Sequence, residues 1–178
     1  MSKQLIFLDA GHGGKDPGAV GLKAKEKDIV LSVAMQLGQA LTARGFAVCY
    51  SRTNDVRILA SERARAANKA KAAAFVSIHC NAAANKAATG TETFAYGKAS
   101  KGYQLACSIQ KNIVKAVQLP DRGVKTANFA VLRETAMPAA LVELGFLSNP
   151  IEEKFLLNSQ WQQRAAAAIA EGIVQYFG

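Results

Sequence analysis

Unbroken apolar runs alternate along this chain with stretches in which apolar residues recur every three or four positions, and the two periods separate strands from helices. Leu5, Ile6, Phe7 and Leu8 form one such run, the pattern of a strand buried on both faces of a parallel sheet. It breaks into Asp9, Gly11, Gly13 and Gly14, with His12 among them. Residues 46–52, 74–82, 129–135 and 139–146 read as further strands, as do residues 91–97, where Thr91, Thr93 and Ala95 alternate with Glu92, Phe94 and Tyr96 as they would near a sheet edge. Between them, Ile29, Val33, Leu37 and Leu41 make a helical stripe that Gly45 closes. A second helix is expected over residues 57–71, with Arg57, Arg63 and Arg65 on its outer face. Leu105, Ile109, Ile113 and Val117 mark a third, stopped by Pro120, and the tail from Ile151 holds one or two more, the last carrying Trp161, Ala165, Ile169, Ile173 and Tyr176. Residues 15–28, rich in Gly, Lys and Asp, read as a long surface connection. The pattern predicts a single α/β domain over residues 1–178, with a mostly parallel, twisted sheet of about six strands and helices on both faces.

The chain has two histidines, and both His12 and His79 fall at the far end of a strand-like run; Glu143 sits likewise within AALVELGF. Open α/β sheets hold their ligands in the crevice outside the carboxyl ends of the strands, so these three side chains are expected to converge. A carboxylate in a run otherwise made of Ala, Leu, Val and Phe cannot stay buried and charged without a partner. Two imidazoles and a carboxylate, with a fourth position left to water, are the ligand set of a catalytic zinc site. Zinc lowers the pKa of water from about 15.7 toward ~7, and a second carboxylate must then take and return the proton. Glu143 and several further acids are available, Glu26 and Asp28 among them in the connection after His12. On the residues alone the division of roles stays open, because a charge in KAKEKD is by default a solvated one. Cys80 adjoins His79, but neighbouring strand residues point to opposite faces. DAGHGG matches neither of the glycine-rich phosphate-binding patterns.

Length and composition narrow the field further. A chain of 178 residues buries a full core without disulfides or structural metal. No apolar run approaches the ~18 residues of a membrane span, and the opening MSKQ followed by a short strand lacks the long apolar stretch of an export signal. Cys49, Cys80 and Cys107 are odd in number and scattered, as expected of buried thiols made in a reducing compartment. The net charge of +9 favours a polyanionic partner. The lysines are spread along the chain and no helix-turn-helix, ribonucleoprotein or zinc-finger pattern occurs, so nucleic acid is not expected. An anionic cell-wall polymer suits the surface equally well.

LDAGHGGKDPGAVG, KEKDIVL, SRTNDV followed by ERARAAN, FVSIHCNA, and VLRETAMPAALVELGFLSNP occur in this order across nearly the whole chain. In motifs and spacing the sequence resembles the zinc-dependent N-acetylmuramoyl-L-alanine amidases of the amidase type 3 family. The resemblance implies one Zn2+ per chain held by His12, Glu26 and His79, with Glu143 as general acid/base. It also implies peptidoglycan as substrate, cut at the amide between N-acetylmuramic acid and L-alanine. We take Asn81 and Arg133 as candidate substrate contacts. Division-type members carry an extra helical segment that plugs the zinc cleft; residues 81–90 are too short for one. An open site, a monomer and a lytic role on the bacterial wall are therefore expected, as in a phage endolysin released from the cytoplasm or an autolysin. A zinc carboxypeptidase would use the same metal on a peptide bond. A silent wall-binding module would have lost a ligand or Glu143, and all four are present.

Overall fold

The structure, a computed structural model, describes residues 3–178. In chain order the elements are β1 (Leu5–Ala10), α1 (Glu26–Ala43), β2 (Ala47–Tyr50), α2 (Ala60–Lys69), β3 (Ala74–Asn81), β4 (Thr91–Ala95), α3 (Lys101–Val117), β5 (Asp121–Thr126), α4 (Ala130–Arg133), β6 (Ala139–Phe146), α5 (Pro150–Leu156) and α6 (Ser159–Phe177). The strands form one sheet in the order β2-β1-β3-β6-β4-β5. Neighbours run parallel except β4 and β6, which are antiparallel. The expected α/β architecture is what the chain adopts.

The two faces of the sheet are unequal. Ile6, Leu8, Val76, Ile78, Val142 and Leu144 bury one face against the apolar stripes of α1, α3 and α6 in the main core. On the other face Phe7, Phe75 and Leu141 pack under Ala67 of α2 and Val131 and Leu132 of α4, the two Phe rings stacked with centroids 5.8 Å apart. Side chains two apart on a strand share a face. The second face therefore continues from Phe7 to Asp9, from Phe75 through Ser77 to His79, and from Leu141 to Glu143, turning polar toward the strand ends. The short helices α2 and α4 leave a cleft of about 470 Å³ over that polar end. The register of β3 against β6 shifts between His79 and Asn81, so that His79 pairs with Glu143 but Asn81 with Phe146, and such irregularities commonly re-aim side chains.

Several elements differ from the sequence expectation, each for a physical reason. Residues 129–135 are not a strand: Phe129 is the N-cap of α4, and the adjacent Val131 and Leu132 are both buried, as one helical turn allows. The sixth strand is β5, hidden from a hydrophobicity reading because it is an edge with no buried residue that pairs with β4 on one side. Helix α2 starts at Ala60 rather than at Arg57, with Glu62 reaching back to accept the Leu59 N–H. Arg57 and Arg65 are exposed, but Arg63 is buried against Asp9. Glu26 opens α1 instead of lying in the preceding connection. Of the three thiols, Cys80 alone is fully buried, Cys49 is half-buried and Cys107 is exposed.

Candidate metal centre and active-site cleft

Strand β1 delivers His12 two residues beyond its end, in a left-handed conformation with φ 59°. That region is uncommon for residues other than glycine and is worth a functional explanation when it occurs. Gly11 lets β1 pass close to β3, since a Cβ there would lie 2.7 Å from His79 Nδ1 and nearer still to Cε1. Gly18, at φ +66°, likewise leaves room that a Cβ would take 2.5 Å from Glu26 Oε2 and 2.6 Å from His12 Cδ2.

His12, Glu26 and His79 meet. Glu26 Oε1 lies 3.2 Å from His12 Nε2 and 2.8 Å from His79 Nδ1. It also accepts the Cys80 N–H at 3.0 Å, while Oε2 accepts the Ala19 N–H at 2.7 Å. The imidazoles stand edge-on with centroids 5.0 Å apart. His12 Nδ1, on the far side of its ring, is held by Asp16 Oδ2 at 2.9 Å, and Asp16 Oδ1 accepts the Gly18 N–H. Burial alone would raise the Glu26 pKa, but its bonds to His12 and His79 outweigh that and hold it well below the carboxylate range. Burial would lower the His12 pKa; Glu26 and Asp16 overcome it and bring it to about 9. Burial acts the same way on His79, and Glu26 and Glu143 lift it above the ordinary histidine value.

A pocket with so strong an attraction for positive charge could hold a divalent cation on the same lone pairs. One donor atom from each of the three residues lies within 4.8 Å of the others. Zinc bonds of about 2.0–2.1 Å in a tetrahedron set ligand atoms roughly 3.3 Å apart, so this cluster needs little adjustment. The Asp16 carboxylate on the outer nitrogen of His12 is the partner that metal-bound histidines usually have.

Glu143 is the register partner of His79 across β3 and β6. Burial, reinforced by Glu26 and Glu92 against His79 and His12, pushes its pKa up to about 7. Its Oε2 is buried with no hydrogen-bond partner. A carboxyl whose pKa lies near neutrality suits proton transfer at neutral pH. Directly opposite on β4, Glu92 is held ionised: burial opposes this, but Lys125 and Arg122 pull its pKa below the ordinary value.

The cleft is lined by Asp9, His12, Asp16, Arg63, His79 and Glu143 on its polar side and by Ile58, Phe129, Val131 and Leu141 on its apolar side. Neither candidate substrate contact belongs to that lining. Asn81 directs its amide to Glu92 Oε1 at 2.6 Å, and Arg133 bonds Asn128 and Glu134 and faces a separate surface pocket with Tyr96 and Lys101. Sequence reasoning passed over Asp9, Asp16, Arg52, Arg63, Glu92 and Phe129. The argument that singles out Glu143, a carboxylate in an apolar run, applies equally to Asp9 in LIFLDA.

Comparison with known proteins places the chain in a family. A family model described as N-acetylmuramoyl-L-alanine amidase, Amidase_3, matches residues 6–175. The sporulation-specific N-acetylmuramoyl-L-alanine amidase of Bacillus subtilis (strain 168) is 41% identical over 177 residues, covering 97% of this chain and 68% of that protein. The endolysin of Bacillus phage SPP1 is 44% identical over 183 residues, covering 98% of this chain and 66% of that protein. Among solved structures, the catalytic domain of the amidase CwlV from Bacillus (Paenibacillus) polymyxa var. colistinus superposes with a TM-score of 0.94 at 39% identity, covering 98% of both chains. The chain belongs to the N-acetylmuramoyl-L-alanine amidases of the Amidase_3 family, hydrolases that cut the amide between N-acetylmuramic acid and L-alanine in peptidoglycan.

Proposed function

We propose that this amidase is zinc-dependent, with His12, Glu26 and His79 as metal ligands and Glu143 as general acid/base, and that its cleft stands open to the wall without an autoinhibitory segment. One observation carries the reading: three metal donors converge, and two of them, His12 and His79, line the same cleft as Glu143, whose pKa is pushed up to about 7. Zinc, when bound, supplies Lewis acidity that polarises the scissile carbonyl and makes hydroxide available at neutral pH. Glu143 takes the proton of the attacking water and hands it to the departing amine of L-alanine. Asp16 keeps the His12 ring turned so that Nε2 faces Glu26. Phe129, Ile58 and Leu141 give the substrate an apolar wall, which excludes bulk water and strengthens the charges opposite.

Accessibility rests on the short link between β3 and β4, and on α3, whose Leu105, Ile109 and Ile113 are committed to the main core. A site of this kind suits an endolysin or autolysin acting on the wall as a monomer.

Purified peptidoglycan, with mass analysis of the products, tests the reading. Wild type is expected to release stem peptides beginning with L-alanine, to stop on chelation and to resume with added Zn2+. Glu143→Ala is expected to bind Zn2+ and release none, a loss of at least about 100-fold. Single amino acids released from the C-terminal end of the stem, with L-alanine still joined to muramic acid, would indicate a carboxypeptidase instead, and activity that survives chelation would remove zinc from the mechanism.

A further inference from the structure

Two arginines absent from any role above are buried beneath the His12 turn: Arg52, after β2, and Arg63, on α2, are each 4% exposed. Burying a guanidinium is costly unless its donors are matched, and here their partners are mostly backbone carbonyls next to the metal ligands. Arg52 Nε donates to Ala10 O at 3.0 Å, and its Nη2 donates at 2.8 Å both to Gly11 O and to Lys27 O. One rigid plane thus ties the residue before His12 to the residue after Glu26. Arg63 donates from Nη2 to His12 O at 2.6 Å, from Nε to Ile58 O at 2.9 Å, and from Nη1 to Ala10 O and, at 2.7 Å, to Asp9 Oδ1. The other Asp9 oxygen accepts from Ser77 Oγ at 2.7 Å, two residues before His79 on the same face of β3. Three successive carbonyls, Ala10, Gly11 and His12, are therefore gripped by two guanidinium groups, and the network touches the backbone at His12 and beside Glu26 and reaches the His79 strand through the Ser77 side chain.

We infer that Arg52 and Arg63, with Asp9 and Ser77, are positioning residues that set the spacing of His12, Glu26 and His79 before the metal arrives. This rests on the metal reading proposed above. A planar, multidentate arginine can bridge two carbonyls at fixed separation; a lysine carries the same charge but cannot. His12 is the residue with most to lose, because its left-handed backbone is held from outside by the bond from Arg63 to its own carbonyl. A bare stabilising role for the arginines would leave metal affinity unchanged in any variant that still folds.

The test is zinc affinity, measured by competition with a chromophoric chelator, alongside the melting temperature of the metal-free protein. It is applied to wild type, Arg52→Lys, Arg63→Lys, Ser77→Ala, and Ile173→Val as a core control in α6. The expected result is a loss of Zn2+ affinity of about 10- to 100-fold in the two arginine variants, the range seen when outer partners of metal ligands are removed. Ile173→Val is expected to lower the melting temperature with affinity unchanged. If the arginine variants do not fold, Ser77→Ala decides: it leaves Asp9 paired with Arg63 and should weaken binding measurably. Arginine variants that fold and bind Zn2+ within twofold of wild type would overturn the inference, as would an unchanged Ser77→Ala where they do not fold. A wild type that binds no Zn2+ would overturn the metal reading itself.

Discussion

Asp9 and Glu143 are both carboxylates set in apolar strands on the same face of the sheet, and their surroundings drive them in opposite directions. Burial raises both, but Asp9 faces Arg63 and drops below the ordinary value of 3.8, whereas Glu143 lies among other acids and climbs to about 7. The difference suits a structural anion in one case and a proton carrier in the other. It also has a measurable consequence for stability. Because the folded pKa of Asp9 is depressed, its ionised form stabilises the fold above 3.8, and that contribution is lost as the pH falls through the lowered value. Asp9→Asn leaves Arg63 buried with one charge unanswered, which costs on the order of 3 kcal/mol near neutral pH. The gap between wild type and Asp9→Asn, followed by thermal unfolding in chelator from pH 7 downward, is expected to be widest near neutrality and to shrink below 3.8. A gap independent of pH would mean that the Asp9 charge does not hold Arg63.

At the scale of elements, what could be read in advance follows from how local each signal is. Strands β1, β3 and β6 are central, so their apolar runs and the polar residues ending them place His12, His79 and Glu143 correctly. Strand β5 is an edge with no buried residue; its pairing with β4, not its composition, makes it a strand. The same holds for Glu26. Nothing near KAKEKD says that this glutamate starts a helix and turns inward, because the segment before it is fixed from 130 residues away. Glu153, buried on α5, accepts the N–H groups of Lys23 and Ala24 at 2.7 and 3.0 Å. Its neighbour Glu152 accepts the Gly90 N–H at 2.7 Å, and helix α5 thus fastens both the connection before α1 and the one between β3 and β4. Glu153→Ala strands two amides and is expected to cost about 1–3 kcal/mol. In hydrogen exchange, Lys23 and Ala24 should lose protection while the amides of α6 keep theirs. Unaltered exchange at those two residues would show that the turn holds its shape without α5.

Charge acts at the scale of the whole molecule, and the fold makes the surface more basic than the sequence total of +9 states. Five of the 13 acids, Asp9, Glu26, Glu92, Glu152 and Glu153, are among the buried residues, against two of the 22 bases, Arg52 and Arg63. The interior takes up negative charge at the His12, Glu26 and His79 cluster and at the loop anchors, and the excess of lysine and arginine is left facing solvent. No described helix is long and apolar enough to cross a membrane. A basic surface raises the encounter rate with a polyanionic layer, by tenfold or more at low ionic strength. Screening shortens the reach of that attraction from about 10 Å at 0.1 M salt to ~3 Å at 1 M. Turnover on intact walls bearing anionic polymers is therefore expected to fall steeply with added NaCl, by about tenfold. Cleavage of a short soluble muropeptide, which presents few charges and reaches the cleft by itself, should decline far less over the same range. Equal salt dependence for the two substrates would locate the effect in the cleft rather than on the surface, and the basic exterior would then have no part in finding the wall.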